Sequence, residues 1–281
     1  LSLAFAVALG HFFMTFAGRV WRALVPAIGL APAFPEPQDA PLYILLYEMW
    51  RAAHQLPSSA VKFKTKSLQA QMRLLLVADV HDGVKQVRSI RGSYDAVIAA
   101  GDFTYRRSVE AAVEALEALA GIAPVYFVPG NTDPPELAGF EKDSIKPVHG
   151  RTQRLGPYVI GGAGGSLPTP FNDLFRVSEE DLQGLLYSLT PTPHVLVVHN
   201  PPRGHLDKVG GVRPVGSVAV KKYIEEKQPI LSVHGHIHED RGIDIIGDTI
   251  VVNPGPLKDG YYAEAVLDGT KAVVSLKKLY Y

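Results

Sequence analysis

Residues 72–81 read MetArgLeuLeuLeuValAlaAspValHis. The run over 73–78 (RLLLVA) is nearly all apolar and too short for a helix, so it predicts a buried strand. It ends in Asp79 and His81, two metal-ligating residue types. The same event recurs downstream. A strand predicted over 95–100 (DAVIAA) leads to Gly101-Asp102, and one over 124–128 (PVYFV) leads to Gly130-Asn131. Between them, 83–92 suits a short helix. Residues 106–121 carry i, i+3/i+4 apolar spacing and end at Gly121, an amphipathic helix. This βαβαβ order predicts an α/β chain with helix-covered strands.

The second half leans toward β. Strands are expected over 158–161, 195–198, 230–233, 243–246, 249–252, 262–267 and 271–276, and helices over 178–188 and 217–227. His199 follows the strand at 195–198. His236 and His238 follow the one at 230–233, within HisGlyHisIleHis at 234–238. A long Gly/Pro loop, 201–216, lies beside His199; such loops are uncommon unless functional.

Upstream of residue 72 the character changes. Residues 1–18 are uncharged and mostly apolar, and 31–41 are proline-rich. Two domains are expected: an N-terminal extension over 1–71 and a catalytic domain over 72–281. The extension has two readings. One is a membrane anchor or loosely folded arm. The other is a mis-assigned start, since the chain begins with Leu and Met72 opens the strand pattern. Membrane association is expected only through residues 1–30; otherwise a cytoplasmic protein is expected.

Lys plus Arg and Asp plus Glu both number 28, so there is no global basic field to attract nucleic acid. The absence of cysteine excludes disulfides, thiolate zinc sites and a Cys nucleophile. Any metal must be held by N and O ligands. Asp79, His81, Asp102, Asn131, His199, His236 and His238 supply such a set, enough for two divalent ions ~3.5–4 Å apart. Side chains at i and i+2 of a strand point the same way. Extended geometry continuing past the strand ends would therefore aim Asp79 with His81, and His236 with His238, at one site. His11, His54, His149 and His194 have no motif around them, and His234 is expected to support the last pair.

The ordered set Asp79-x-His81, Gly101-Asp102, Gly130-Asn131, His199 and Gly235-His236-x-His238 resembles the ligand signature of the calcineurin-like metallophosphoesterases. AsnProGlyPro at 253–256 resembles the turn that follows the last histidines in that family. HisAsnProProArgGlyHis at 199–205 suggests its small phosphodiesterases. The resemblance implies a two-sheet β-sandwich flanked by helices, with a dinuclear site at strand C-terminal ends. It implies that Asp79, His81 and His238 bind one ion and Asn131, His199 and His236 the other. Asp102 would bridge, and a hydroxide between the ions would attack phosphorus. Mn2+ is the favoured ion, with Fe, Ni or Zn compatible.

One position departs from the pattern. Most of the family carries His after the Asn, a proton donor to the leaving alkoxide. Here Thr132 stands there, and a hydroxyl is no general acid near neutrality. The loss typically removes ~10²–10⁴-fold for poor leaving groups. The expected substrate is therefore a small or nucleotide-like phosphodiester. Asp102 and Asn131 are the expected catalytic residues, His205 the candidate substitute acid and Arg203 a candidate phosphate contact. The alternatives are a non-catalytic scaffold of the same fold, or a DNA nuclease. The first would be expected to lack ligands, and the second to be longer and to keep the His.

Overall fold

In chain order the elements are β1 (Met72–Val77), α1 (Val84–Ser89), β2 (Ala96–Ala99), α2 (Val109–Ala120), β3 (Val125–Phe127), β4 (Ile145–Pro147), β5 (Thr152–Leu155), β6 (Tyr158–Ala163), α3 (Glu179–Ser188), β7 (Val195–Val198), β8 (Lys208–Val209), β9 (Arg213–Pro214), α4 (Val218–Lys227), β10 (Leu231–Val233), β11 (Gly242–Ile246), β12 (Thr249–Asn253), β13 (Tyr261–Asp268) and β14 (Lys271–Lys278). This computed structural model describes residues 71–280; the readings of the N-terminal arm lie outside them.

Two six-stranded mixed sheets form, in the orders β14-β13-β1-β2-β3-β4 and β11-β12-β10-β7-β6-β5. In the first, β1 to β4 run parallel, and β13 lies antiparallel to β1 with Ala265 opposite Leu74. In the second, β6, β7, β10 and β12 run parallel, with Leu231 opposite both Ile250 and Val195. The expected two-sheet sandwich is what the chain builds.

β1 shows why its apolar run had to be continuous. Leu74 and Leu76 pack with Ile160, Val197 and Leu231 in the layer between the sheets. Leu75 and Val77 face the other way, against Val87 of α1 and Ala112, Leu116 and Leu119 of α2. A strand covered on both faces cannot alternate with polar residues. The second sheet is likewise covered outside by Leu182 and Leu186 of α3 and Val220 and Ile224 of α4. Ser108, Ser178 and Ser217 cap α2, α3 and α4, each accepting a bond from a first-turn N–H.

The strands of the second half fall where expected. The sequence reading omitted β4 and β5, whose IleLysPro and ThrGlnArgLeu carry no apolar run. It also read 201–216 as loop throughout, where a two-stranded ribbon, β8 with β9, forms. Among the described residues no helix is long and apolar enough to cross a membrane.

Candidate metal centre

All seven ligand candidates lie just beyond the C-terminal ends of five parallel strands. Asp79 and His81 follow β1, Asp102 follows β2 and Asn131 follows β3; His199 follows β7, and His236 and His238 follow β10. The expectation of extended geometry beyond the strand ends is not met. Asp79, His81, Asp102 and His236 have φ of 53°, 44°, 58° and 71°, in the left-handed region. The backbone turns at these four ligand candidates instead of continuing straight, so that side chains from two sheets converge on one point. Asp and His tolerate this region better than most residues, at about 1–3 kcal/mol each.

Two glycines let the ligands crowd. A Cβ at Gly130 would collide with the Asp102 carboxylate, and one at Gly235 would lie 2.7 Å from Asp79 Oδ2.

The contacts fall mostly into two groups, which the His236 N–H also links by donating to Asp79 Oδ1 at 3.1 Å. His81 Nε2 lies 3.2 Å from His238 Nε2, which lies 3.5 Å from Asp79 Oδ1. His199 Nε2 lies 2.9 Å from Asn131 Oδ1, and the His199 ring meets the His236 ring at 5.0 Å between centroids. Asp102 reaches both groups. Its Oδ2 is 3.7 Å from His81 Nε2, and its Oδ1 is 3.5 Å from His199 Nε2.

Cations fit these gaps. His199 Nδ1 is 2.7 Å from the Ala100 carbonyl, which can only accept, so Nδ1 carries the proton. In the neutral ring Nε2 is then a lone pair, facing Asn131 Oδ1, which also only accepts. Asn131 Nδ2 donates to Asp173 Oδ1 at 2.9 Å, which fixes the amide in that sense. Two acceptors in contact repel, a conflict that a cation held between them relieves. Donors bound at ~2.1 Å to one ion lie roughly 3–3.5 Å apart. Asp79 Oδ2 is moreover buried without a hydrogen-bond partner, a costly state for a carboxylate oxygen unless a cation meets it.

Burial pushes His81 and His236 down to about 4, against the charges of Asp102 and Asp79, so both rings stay neutral and able to ligate. Burial opposes the charge on Asp79. The hydrogen bond and charge of His238, backed by His199 and His81, nevertheless hold its carboxyl below the usual range.

Several supporting residues escaped the sequence reading. Asp133 accepts from the backbone N–H groups of Phe103 and Gly130, both at 2.8 Å, and so ties the Asp102 turn to the Asn131 turn. Burial and then the Asp102 charge push it up to about 7, against those donors. Its place two residues past Asn131 was the available signal. Tyr105 stacks on His81 at 3.7 Å between centroids, 6° from parallel. Lys258, two residues past the AsnProGlyPro turn, sits beside Tyr105. Asp173 had no signal at all. His234 is buried, with Nδ1 3.4 Å from the Gly235 carbonyl and Nε2 without a partner.

Thr132 donates its backbone N–H to Asp102 Oδ1 at 2.9 Å, and its hydroxyl is buried without a partner. His205 and Arg203 are not drawn into the group. His205 Nδ1 is 2.9 Å from Asp244 on the edge strand β11, and Arg203 is exposed.

The sequence pattern of the Calcineurin-like phosphoesterase superfamily domain matches residues 72–277. The chain belongs to that superfamily. It is 31% identical over 194 residues to an uncharacterized protein of Methanocaldococcus jannaschii, covering 66% of this chain and 88% of that protein. It is 26% identical over 209 residues to a Caenorhabditis elegans UPF0046 protein, covering 67% of this chain and 71% of the other. Its fold is shared by a Thermus thermophilus protein, TT1561, with a TM-score of 0.53 at 17% identity, over 73% of this chain and 98% of that one. As a calcineurin-like phosphoesterase, the chain is a metal-dependent hydrolase of phosphoric esters and binds divalent metal.

Proposed function

We propose that this phosphoesterase is a phosphodiesterase acting on small or nucleotide-like diesters at a two-ion centre. Asp79, His81 and His238 would hold one ion and Asn131, His199 and His236 the other, with Asp102 shared. The observation that carries this reading is the division of Asp102, one oxygen toward His81 and the other toward His199. Divalent ions held there supply Lewis-acid charge and a water of lowered pKa; the N/O donor set suits Mn2+ and accepts Fe, Ni or Zn.

The chain's own contribution is orientation. Asp173 fixes the Asn131 amide, the Ala100 carbonyl fixes the His199 tautomer, and the Asp102 carboxylate is steadied by the Thr132 N–H. Such outer partners typically matter ~10–100-fold in metal affinity or activity. No side-chain acid stands at position 132. An alcohol that leaves without taking a proton is therefore favoured, and an alkyl monoester is disfavoured. Charge argues the same way. Among the described residues no arginine bonds to any of the seven groups. A diester carries one negative charge to be neutralised, a monoester dianion two.

The test is hydrolysis by the 281-residue chain loaded with Mn2+. An aryl phosphodiester should turn over faster than the matching monoester. Monoester preference would overturn the diesterase reading, and two bound metals without hydrolysis of either would favour a scaffold.

A further inference from the structure

Lys258 is a cation with an unusual address. It lies in the short turn Leu257–Asp259, directly after AsnProGlyPro, and its backbone is fastened to the ligand-bearing end of β1. The Leu257 N–H donates to the Ala78 carbonyl at 3.0 Å and the Lys258 N–H to the Asp79 carbonyl at 3.3 Å. The Lys258 carbonyl accepts from Gln86 Nε2 at 2.9 Å. A Cβ at Gly83 would lie 3.2 Å from Lys258 Cα, so the missing side chain there admits the turn.

The ammonium has no carboxylate partner among the described residues, although the side chain is half-buried. Its neighbour is Tyr105. Lys258 Nζ lies 3.5 Å from the Tyr105 hydroxyl and 5.6 Å from the ring centroid, and the same ring stacks on His81. An ammonium with no carboxylate partner among the described residues, resting beside an exposed tyrosine ring that stacks on His81, is free to meet an anion at that edge of the site.

We propose that Lys258 is a substrate-contacting cation that takes a non-bridging phosphoryl oxygen on the His81–His238 side of the centre, with Tyr105 as its positioning residue. The ring fixes where the ammonium rests, and the ammonium adds charge that the ligand set lacks. This rests on the two-ion reading given above. A flexible Lys suits a single phosphoryl oxygen as a point charge, where an arginine fork would favour two.

The probe is inorganic phosphate, titrated calorimetrically into the Mn2+-loaded full chain, with metal content and aryl-diester kcat and KM measured alongside. Lys258→Met should weaken phosphate binding about tenfold and raise KM by a similar factor, with metal content unchanged. Lys258→Gln should do the same, and Lys258→Arg should recover to within about threefold of wild type. Tyr105→Phe keeps the His81 stack but loses the hydroxyl, and should weaken phosphate binding by roughly two- to fivefold. Wild-type phosphate affinity in both Lys258→Met and Lys258→Gln would overturn the proposal, as would an Arg variant no better than Met. A wild-type chain that binds neither metal nor phosphate would instead bring down the two-ion reading, and this inference with it.

Discussion

On the proposed two-ion reading, Asp102 is the residue on which the chemistry turns. It is buried, its φ is 58°, and its two oxygens face different histidines. That left-handed backbone conformation costs about 1–3 kcal/mol and aims the carboxylate at both histidines. Asp102→Ala should remove the shared ligand and lower aryl-diester turnover by at least about 10²-fold, with fewer than two ions bound per chain. Unchanged turnover with full metal content would sink the assignment. Thr132 gives the complementary test. Its backbone N–H serves Asp102 whatever the side chain, so the residue can be exchanged without losing that bond. Thr132→His should raise alkyl-monoester turnover by about 10²-fold, the lower end of what a general acid supplies. It should do little for an aryl diester. An equal effect on both substrates would mean that leaving-group protonation is not what position 132 controls.

At the scale of elements, the ligand candidates were legible and the residues that support them were not. A parallel strand buried on both faces is mostly apolar, so β1, β2, β3, β7 and β10 stand out as runs, with Ser232 the one buried polar residue among them, and the ligand candidates follow their ends. Polar short strands leave no such mark, which is why β4 and β5 were missed. The left-handed turns at Asp79 and His81 were also illegible, because neither residue is a glycine and convergence of two sheets is a long-range demand. Asp173 is the clearest case. It sits 42 positions from Asn131, in the loop between β6 and α3, and is bonded there by Asn131 Nδ2 and Thr169 Oγ1. Nothing local distinguishes it from a loop aspartate. Asp173→Asn keeps the shape but adds donors where only acceptors are wanted. The Asn131 amide loses its fixed sense, and metal affinity should fall about 10–100-fold by competition with a chelator. The loss should appear at one ion of the two; equal weakening of both would place Asp173 outside the Asn131 half.

For the whole molecule, the proposed centre would be a joint as well as a site. Asp79, His81, Asp102 and Asn131 come from the strand ends of one sheet, and His199, His236 and His238 from those of the other. Without cations, the buried Asp79 Oδ2 is unpaired and His199 Nε2 opposes the Asn131 oxygen. Ions that bind the folded arrangement and not the unfolded chain must therefore stabilise the fold by mass action. At free metal of 100 times Kd the gain is about 2.7 kcal/mol for each site. For a domain of this size that corresponds to a Tm rise of about 5–10 °C. The Tm of the chelated protein should climb with the logarithm of added Mn2+, and the climb should be smaller in Asp102→Ala. His199→Ala and His81→Ala, taken from opposite sheets, should each cut it as well. A Tm indifferent to metal, in protein shown by elemental analysis to be loaded, would mean that the ions do not bridge the sheets. The resulting order of stabilities, loaded wild type above chelated wild type with the gap narrowed in Asp102→Ala, separates a metal joint from seven polar residues that merely share a cleft.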